Sequence, residues 1–142
     1  MKRLIILVAM SGVLITPDVA ADPTTLTGIV THVRDGDTIK VGKIPIRLNG
    51  VSAPELKDPL GVESKNFMRD LADGENVQCE LTGAKTYDRL VGTCYLKGKD
   101  IGGSVIAAGL ALDCPRYSGG RYAKLEVAAA RERIMLPKYC KR

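Results

Sequence analysis

The chain has no tryptophan, one phenylalanine and one histidine in 142 residues, and aromatic residues make up only 4% of it. A small domain with so few large rings has little bulk to spend on its core, so covalent cross-links would help it. There is no C-x-x-C pair, and one histidine beside four widely spaced cysteines is too few ligands in the wrong pattern for a zinc centre. The lone His32 reads instead as an exposed strand residue. No internal repeat or low-complexity tract is present, and beyond residue 21 no run is apolar enough to cross a membrane. Apolar residues at 45% and charged residues at 26% exclude a disordered or fibrous chain and match one globular domain with one core.

The first 21 residues read as a separate object. Lys2 and Arg3 open the chain, Leu4 to Ile15 is apolar apart from Ser11 and Gly12, and Val19-Ala20-Ala21 supplies small residues. That order is a secretory signal peptide cleaved after about Ala21, and the run is short for a retained membrane anchor. The mature domain is then residues 22–142, secreted or periplasmic. Losing two cations and one anion lowers its net charge from +5 to +4. A modest positive excess suits a polyanion such as nucleic acid or an acidic polysaccharide. Cys79, Cys94, Cys114 and Cys140 all lie in the mature part. An exported chain meets an oxidising compartment, which implies two disulfides among three pairings.

Along the mature chain, Leu26 to Val33 reads as a strand and Asp35-Gly36 as a hairpin turn. Thr38, Ile39 and Val41 form a second strand, and Gly42-Lys43 turns the chain again. Ile44, Ile46 and Leu48 then alternate with Pro45 and Arg47, which puts one apolar face inward and aims Arg47 the other way. Pro45 marks an edge or a strand start. Residues 50–61 read as loop. Val62, Phe67, Met68, Leu71 and Ala72 share one helical face, ended by Asp73-Gly74. Val77, Cys79 and Leu81 alternate as a fourth strand, residues 83–88 are a polar connection, and Arg89 to Leu96 is a fifth. Asp100 caps a helix through Ala108, weakened at its start by Gly102 and Gly103. A loop follows through Pro115 and Gly119-Gly120, and a last helix runs from Arg121 to Ile134. Five short strands with a helix between the third and fourth give a five-stranded OB-type barrel plus three helices, an α+β fold with an all-β core.

The chemistry sits in four islands: Asp35-Gly36-Asp37-Thr38, Arg47, Ala53-Pro54-Glu55 and Tyr87-Asp88-Arg89. Cleaving a phosphodiester needs charge neutralisation, an oriented water and donors for developing negative charge. Arg47 and Arg89 each offer a planar fork for phosphate oxygens. Asp37 offers oxygen to a hard cation such as Ca²⁺, and Glu55 can hold or deprotonate a water. Singly, each residue is as well explained by a solvated surface or a turn. In this order, continued by Leu90-Val91-Gly92, Gly109-Leu110-Ala111, Glu126 and Ala129, they resemble the staphylococcal nuclease (thermonuclease) family over essentially the whole mature chain.

That resemblance implies a monomeric, Ca²⁺-dependent endonuclease, a phosphodiesterase acting on single-stranded DNA or RNA by attack of water on phosphorus. Arg47, Glu55 and Arg89 take the catalytic positions. Asp37 and the carbonyl of Ala53 take those of direct metal ligands, with Glu55 near the metal through water. Tyr87 and Tyr117 fall where substrate-side tyrosines lie. Mapped onto the family fold, Cys79 and Cys94 face one interior from the fourth and fifth strands, and Cys114 meets the returning C-terminus at Cys140. The expected pairs are therefore Cys79–Cys94 and Cys114–Cys140. Ser52 departs from the family, since it stands where the pattern has an aspartate ligand, and a weaker or altered Ca²⁺ site follows, with Asp35 a partial substitute. Asp88 replaces a glycine, and either orients Arg89 or repels phosphate. Two other readings accompany the enzyme: a polyanion-binding module with an impaired metal site, and an accessory protein of exopolysaccharide (succinoglycan) biosynthesis, since similar small exported members accompany such genes.

Overall fold

The computed structural model describes residues 24–141. The expected signal peptide at residues 1–21 lies outside the described residues. In chain order the strands are β1 (Thr25–Asp35), β2 (Thr38–Val41), β3 (Ile44–Leu48), β4 (Val51–Ser52), β5 (Asn76–Thr86), β6 (Arg89–Leu96), β7 (Lys99–Asp100) and β8 (Leu112–Asp113). The helices are α1 (Gly61–Ala72), α2 (Ile101–Ala107), α3 (Pro115–Ser118) and α4 (Ala128–Arg133).

The long first strand serves two partners. Its first half, Thr25 to Ile29, pairs antiparallel with β5, and its second half, Val30 to Asp35, pairs antiparallel with β2. Two register irregularities in that second half let the strand bend. β2 continues to β3, β5 to β6, and β3 meets β6 in parallel through Ile46↔Leu90, Arg47↔Val91 and Leu48↔Gly92. The ring of five strands thus closes into the expected OB-type barrel. Pro45 pairs only toward β2, at Lys40, and the contact with β6 starts one residue later at Ile46, so its missing N–H interrupts no second ladder.

The aliphatic pattern fills the barrel. Val30, Ile39, Ile46, Leu48 and Val77 are buried from the strands, Met68 and Ala72 from α1, and Val105 and Ile106 from α2. Cys79 and Cys94 face each other in register on β5 and β6 and are joined inside this core. Cys114 and Cys140 form the second disulfide, so the described chain has no free cysteine. Each closure stabilises such a domain by ~2–4 kcal/mol.

Several expectations about local structure are corrected. The two long loops, at residues 50–61 and before Gly119, each give two residues to a short antiparallel ladder, β4 with β8. The polar connection at residues 83–88 is strand as far as Thr86, which leaves Tyr87-Asp88 as the turn of a hairpin; cross-strand pairing of Thr86 with Arg89 overrides the polar composition. The loop before Gly119 contains a single helical turn, α3, opened by Pro115 at its first position. The last helix is far shorter than residues 121–134. Tyr122 is buried with its hydroxyl donating to Asp100 Oδ2 at 2.8 Å, Ala123–Leu125 is one 3-10 turn, and Glu126 and Val127 are extended before α4 begins. Tyr122 held on Asp100, and Glu126, whose Oε1 accepts from the Asp113 N–H at 2.7 Å, thus outweigh helix propensity.

Asp100 caps α2 as expected, accepting from the N–H groups of Gly102 and Gly103 at 2.9 and 3.1 Å. Its second oxygen holds Tyr122, so one carboxylate joins the helix start to the C-terminal segment. Tyr122→Phe keeps the ring and removes that bond. Urea denaturation of the variant should show a loss of about 1 kcal/mol, and an unchanged midpoint would mean the hydroxyl anchors nothing.

Candidate active site

The turn between β1 and β2 places two carboxylates and a hydroxyl in four residues. Asp35 Oδ1 accepts from the Asp37 N–H at 3.1 Å, which folds the turn back on itself. Asp37 is thereby directed inward, with 7% of its surface exposed. Its Oδ2 takes the Ala53 N–H at 2.9 Å and the Arg47 guanidinium at 3.1 Å, and its Oδ1 takes the Thr38 hydroxyl at 3.1 Å. Burial pushes the Asp37 carboxyl up to about 7; Arg47 and the Ala53 N–H pull it down, while the neighbouring Asp35 adds to the rise.

Gly36 is where helix α1 meets this turn. A Cβ there would stand 1.9 Å from Ser64 Oγ and 2.9 Å from Ala53 Cβ, so only glycine lets the helix seat directly against it. The Ser64 hydroxyl is buried without a hydrogen-bond partner among the described residues.

Arg47 leaves the barrel wall opposite to Ile46 and Leu48, as the alternation requires. Its guanidinium is held from behind by carbonyls: Nη1 donates to Val51 O at 2.8 Å and to Leu48 O at 3.2 Å. Arg89 enters from β6, next to β3 in the closed ring. Its Nη1 donates to Thr38 Oγ1 at 3.2 Å and its Nε to Thr86 O at 3.3 Å. Two guanidinium groups therefore reach the same dipeptide, one at Asp37 and one at Thr38.

The other sequence candidates are placed differently. Ala53 joins the cluster through its N–H. Ser52 is buried on β4, paired with Leu112 of β8. The Glu55 side chain is exposed and forms no hydrogen bond or ion pair with the described residues; its backbone begins the tight turn that leads to α1, with its carbonyl accepting from the Asp58 N–H. Tyr87 is 95% exposed at the hairpin tip, in a left-handed conformation, with the Arg89 guanidinium 5.9 Å from its ring centroid. Tyr117 is half-exposed on α3, stacked by Arg116 at 5.9 Å, and its carbonyl accepts from Asn49 Nδ2 at 3.5 Å, beside the β3–β4 turn. His32 is exposed on β1. Among the described residues no three His, Cys, Asp or Glu side chains stand close enough together to hold a metal ion.

Two features escaped sequence reading. Thr38 stands in the Asp35–Thr38 island with no role of its own legible in the sequence, yet its hydroxyl links Asp37 to Arg89. Asp88, left between two roles by the sequence, pairs with Arg34 of β1 at 3.1 Å, an interaction that lowers its pKa. Charge alternation in Arg34-Asp35 and Asp88-Arg89 was the available signal, but not which partners would meet.

Residues 45–136 match the family described as staphylococcal nuclease homologue. Curated relatives include the succinoglycan biosynthesis protein ExoI of Rhizobium meliloti (strain 1021), 33% identical over 107 residues, which are 67% of this chain and 56% of that protein. An uncharacterized endonuclease of Haemophilus influenzae is 31% identical over 94 residues, 63% of this chain and 53% of that one. The staphylococcal-like nuclease CAN1 of Arabidopsis thaliana is 30% identical over 95 residues, 66% of this chain and 29% of that protein. The chain spans just over half the length of the first two relatives. With its closed five-stranded barrel and a family match across most of its length, this chain belongs to the staphylococcal nuclease homologues.

Proposed function

We propose that this chain is an exported, Ca²⁺-dependent nuclease that hydrolyses phosphodiesters of single-stranded DNA or RNA. The observation that carries the reading is the approach of Arg47 and Arg89 to one Asp37–Thr38 pair at the barrel's mouth. A phosphate between the two forks would receive donors from both sides, and those donors are already oriented by the carbonyls of Val51, Leu48 and Thr86. Donors fixed before the substrate arrives need no reorganisation as negative charge grows on phosphorus-bound oxygen.

Arg47 and Arg89 bind and polarise the phosphate. Glu55, exposed two residues beyond Ala53, is free to orient and deprotonate a water from the open side. Tyr87 and Tyr117 offer ring faces at the rim for base or sugar, each backed by an arginine. The available ligands for a cation are hard oxygens: Asp37, the Ala53 carbonyl, Asp35, and Glu55 through water. Their chemistry fits a weak Ca²⁺ site: two carboxylates, Asp35 and Asp37, share one tight turn beside the Ala53 backbone. When bound there, the ion would supply charge neutralisation beside the reacting phosphate. Ser52 in place of a carboxylate limits the affinity.

The two disulfides and the apolar leader together support export to an oxidising compartment. Ser52 at a ligand position supports a second reading, in which the same face holds a polyanion without cutting it, and a relative named for succinoglycan biosynthesis supports an accessory role in exopolysaccharide biosynthesis. Calcium-dependent cleavage of a single-stranded DNA substrate distinguishes the nuclease from the binding reading.

Arg89→Ala should lower kcat/KM for that substrate by roughly 10²–10³-fold, the scale of losing one preorganised donor, and a chelator should abolish cleavage by the unmodified protein. Cleavage that survives both would sink the nuclease assignment of this site, and binding without any cleavage would favour the polyanion module. Ser52→Asp should raise Ca²⁺ affinity at least about tenfold in titration calorimetry, because ligand charge tunes such sites. No gain would place the cation elsewhere.

A further inference from the structure

The two disulfides differ in what surrounds them. Cys79–Cys94 lies within a continuous antiparallel ladder, with Gln78↔Tyr95 and Glu80↔Thr93 on either side, so the strands hold its geometry without it. Cys114–Cys140 has no such support. It joins the start of α3 to the 3-10 turn Lys138–Cys140 at the end of the described chain. The segment it anchors, β8 and α3, meets the Gly50–Ser52 backbone through a ladder of two residues, Val51↔Asp113 and Ser52↔Leu112, and through the Cys114 N–H, which donates to Gly50 O at 2.9 Å; on its other side the Asp113 N–H donates to Glu126 Oε1 at 2.7 Å and Leu112 packs with Leu60, Ala130 and Ile134. Ladders that short are marginal alone.

What this segment presses on is the back of the active site. Val51, paired with Asp113, supplies the carbonyl that holds Arg47 Nη1 at 2.8 Å. Ser52, paired with Leu112, is followed by Ala53, whose N–H holds Asp37 Oδ2. α3 packs on Gly50 so closely that a Cβ there would stand 2.5 Å from Ser118 Cβ and 2.7 Å from Ser118 Cα, at a backbone φ of +74° that itself favours glycine. The same turn bonds the Tyr117 carbonyl through Asn49.

We propose that Cys114–Cys140 is a positioning cross-link for the active site: it clamps β8 and α3 onto the Gly50–Ala53 backbone, and through that backbone sets the aim of Arg47 and Asp37 and the place of Tyr117. Cys79–Cys94 contributes stability alone. The kinetic part of this inference rests on the nuclease reading; the structural part does not.

The test compares Cys114→Ala/Cys140→Ala, Cys79→Ala/Cys94→Ala and Gly50→Ala, each well below its melting midpoint. Gly50→Ala keeps both disulfides and lifts α3 by steric contact, so it makes the same comparison if the first variant does not fold. In amide hydrogen exchange, the amides of residues 114 and 53 should exchange at least about tenfold faster in the Cys114/Cys140 and Gly50 variants, while β1–β3 stay protected and the Cys79/Cys94 variant matches the unmodified protein there. KM for single-stranded DNA should rise about tenfold in the first and third variants and stay unchanged in the second. Unchanged exchange at 114 and 53, or a KM that follows melting temperature alike for both disulfides, overturns the proposal. An unmodified protein that neither binds nor cuts DNA overturns the nuclease reading instead, and the exchange comparison then decides the clamp by itself.

Discussion

A buried carboxylate needs partners, and Asp37 finds them in the Arg47 guanidinium, the Ala53 amide and the Thr38 hydroxyl. Removing one of them leaves the buried acid short of a partner, at a cost above the net worth of the bond itself. This requirement is what assembles the site. It ties the β1–β2 turn to β3 through Arg47, to the strand after Gly50 through Ala53, and to β6 through Thr38 and Arg89. Four stretches distant in sequence are drawn together at one end of the barrel because one acid cannot be left alone.

The barrel makes this meeting possible. Its parallel closure of β3 on β6 puts Arg47 level with Val91, two residues along from Arg89. An open sheet in the same strand order would leave β3 and β6 far apart, at opposite sides of β1 and β5. The barrel's closure and the candidate site therefore share one seam, lined by aliphatic residues such as Ile46 and Leu48.

How much of this was legible in the sequence depends on whether the signal was local. Strand alternation at Ile44, Ile46 and Leu48, the glycine turns and the helical face around Met68 are local, and they located all five barrel strands and α1. The Asp100 cap was legible for the same reason. Residues 121–134 have helical propensity throughout, but the bond from Tyr122 to Asp100, 22 residues away, is invisible to local pattern. The extension of β5 to Thr86 likewise comes from a partner strand. At the site, the residue types and their order named Asp37, Arg47 and Arg89, but not Thr38 as their link or Arg34 as the partner of Asp88. Both are matters of which side chains meet after the ring closes. The exposed carboxylate of Glu55 belongs to a tight turn whose backbone is fixed while its side chain faces solvent.

In the proposed reading, Arg47 and Arg89 hold one phosphate between them. A crystal structure of the protein with a short single-stranded DNA oligomer and Ca²⁺ tests it most directly. A phosphate with oxygens within hydrogen-bond reach of both guanidinium groups, above Asp37 and Thr38, is expected. An ordered oligomer that contacts only one of the two arginines, or that lies on another face of the barrel, would contradict it.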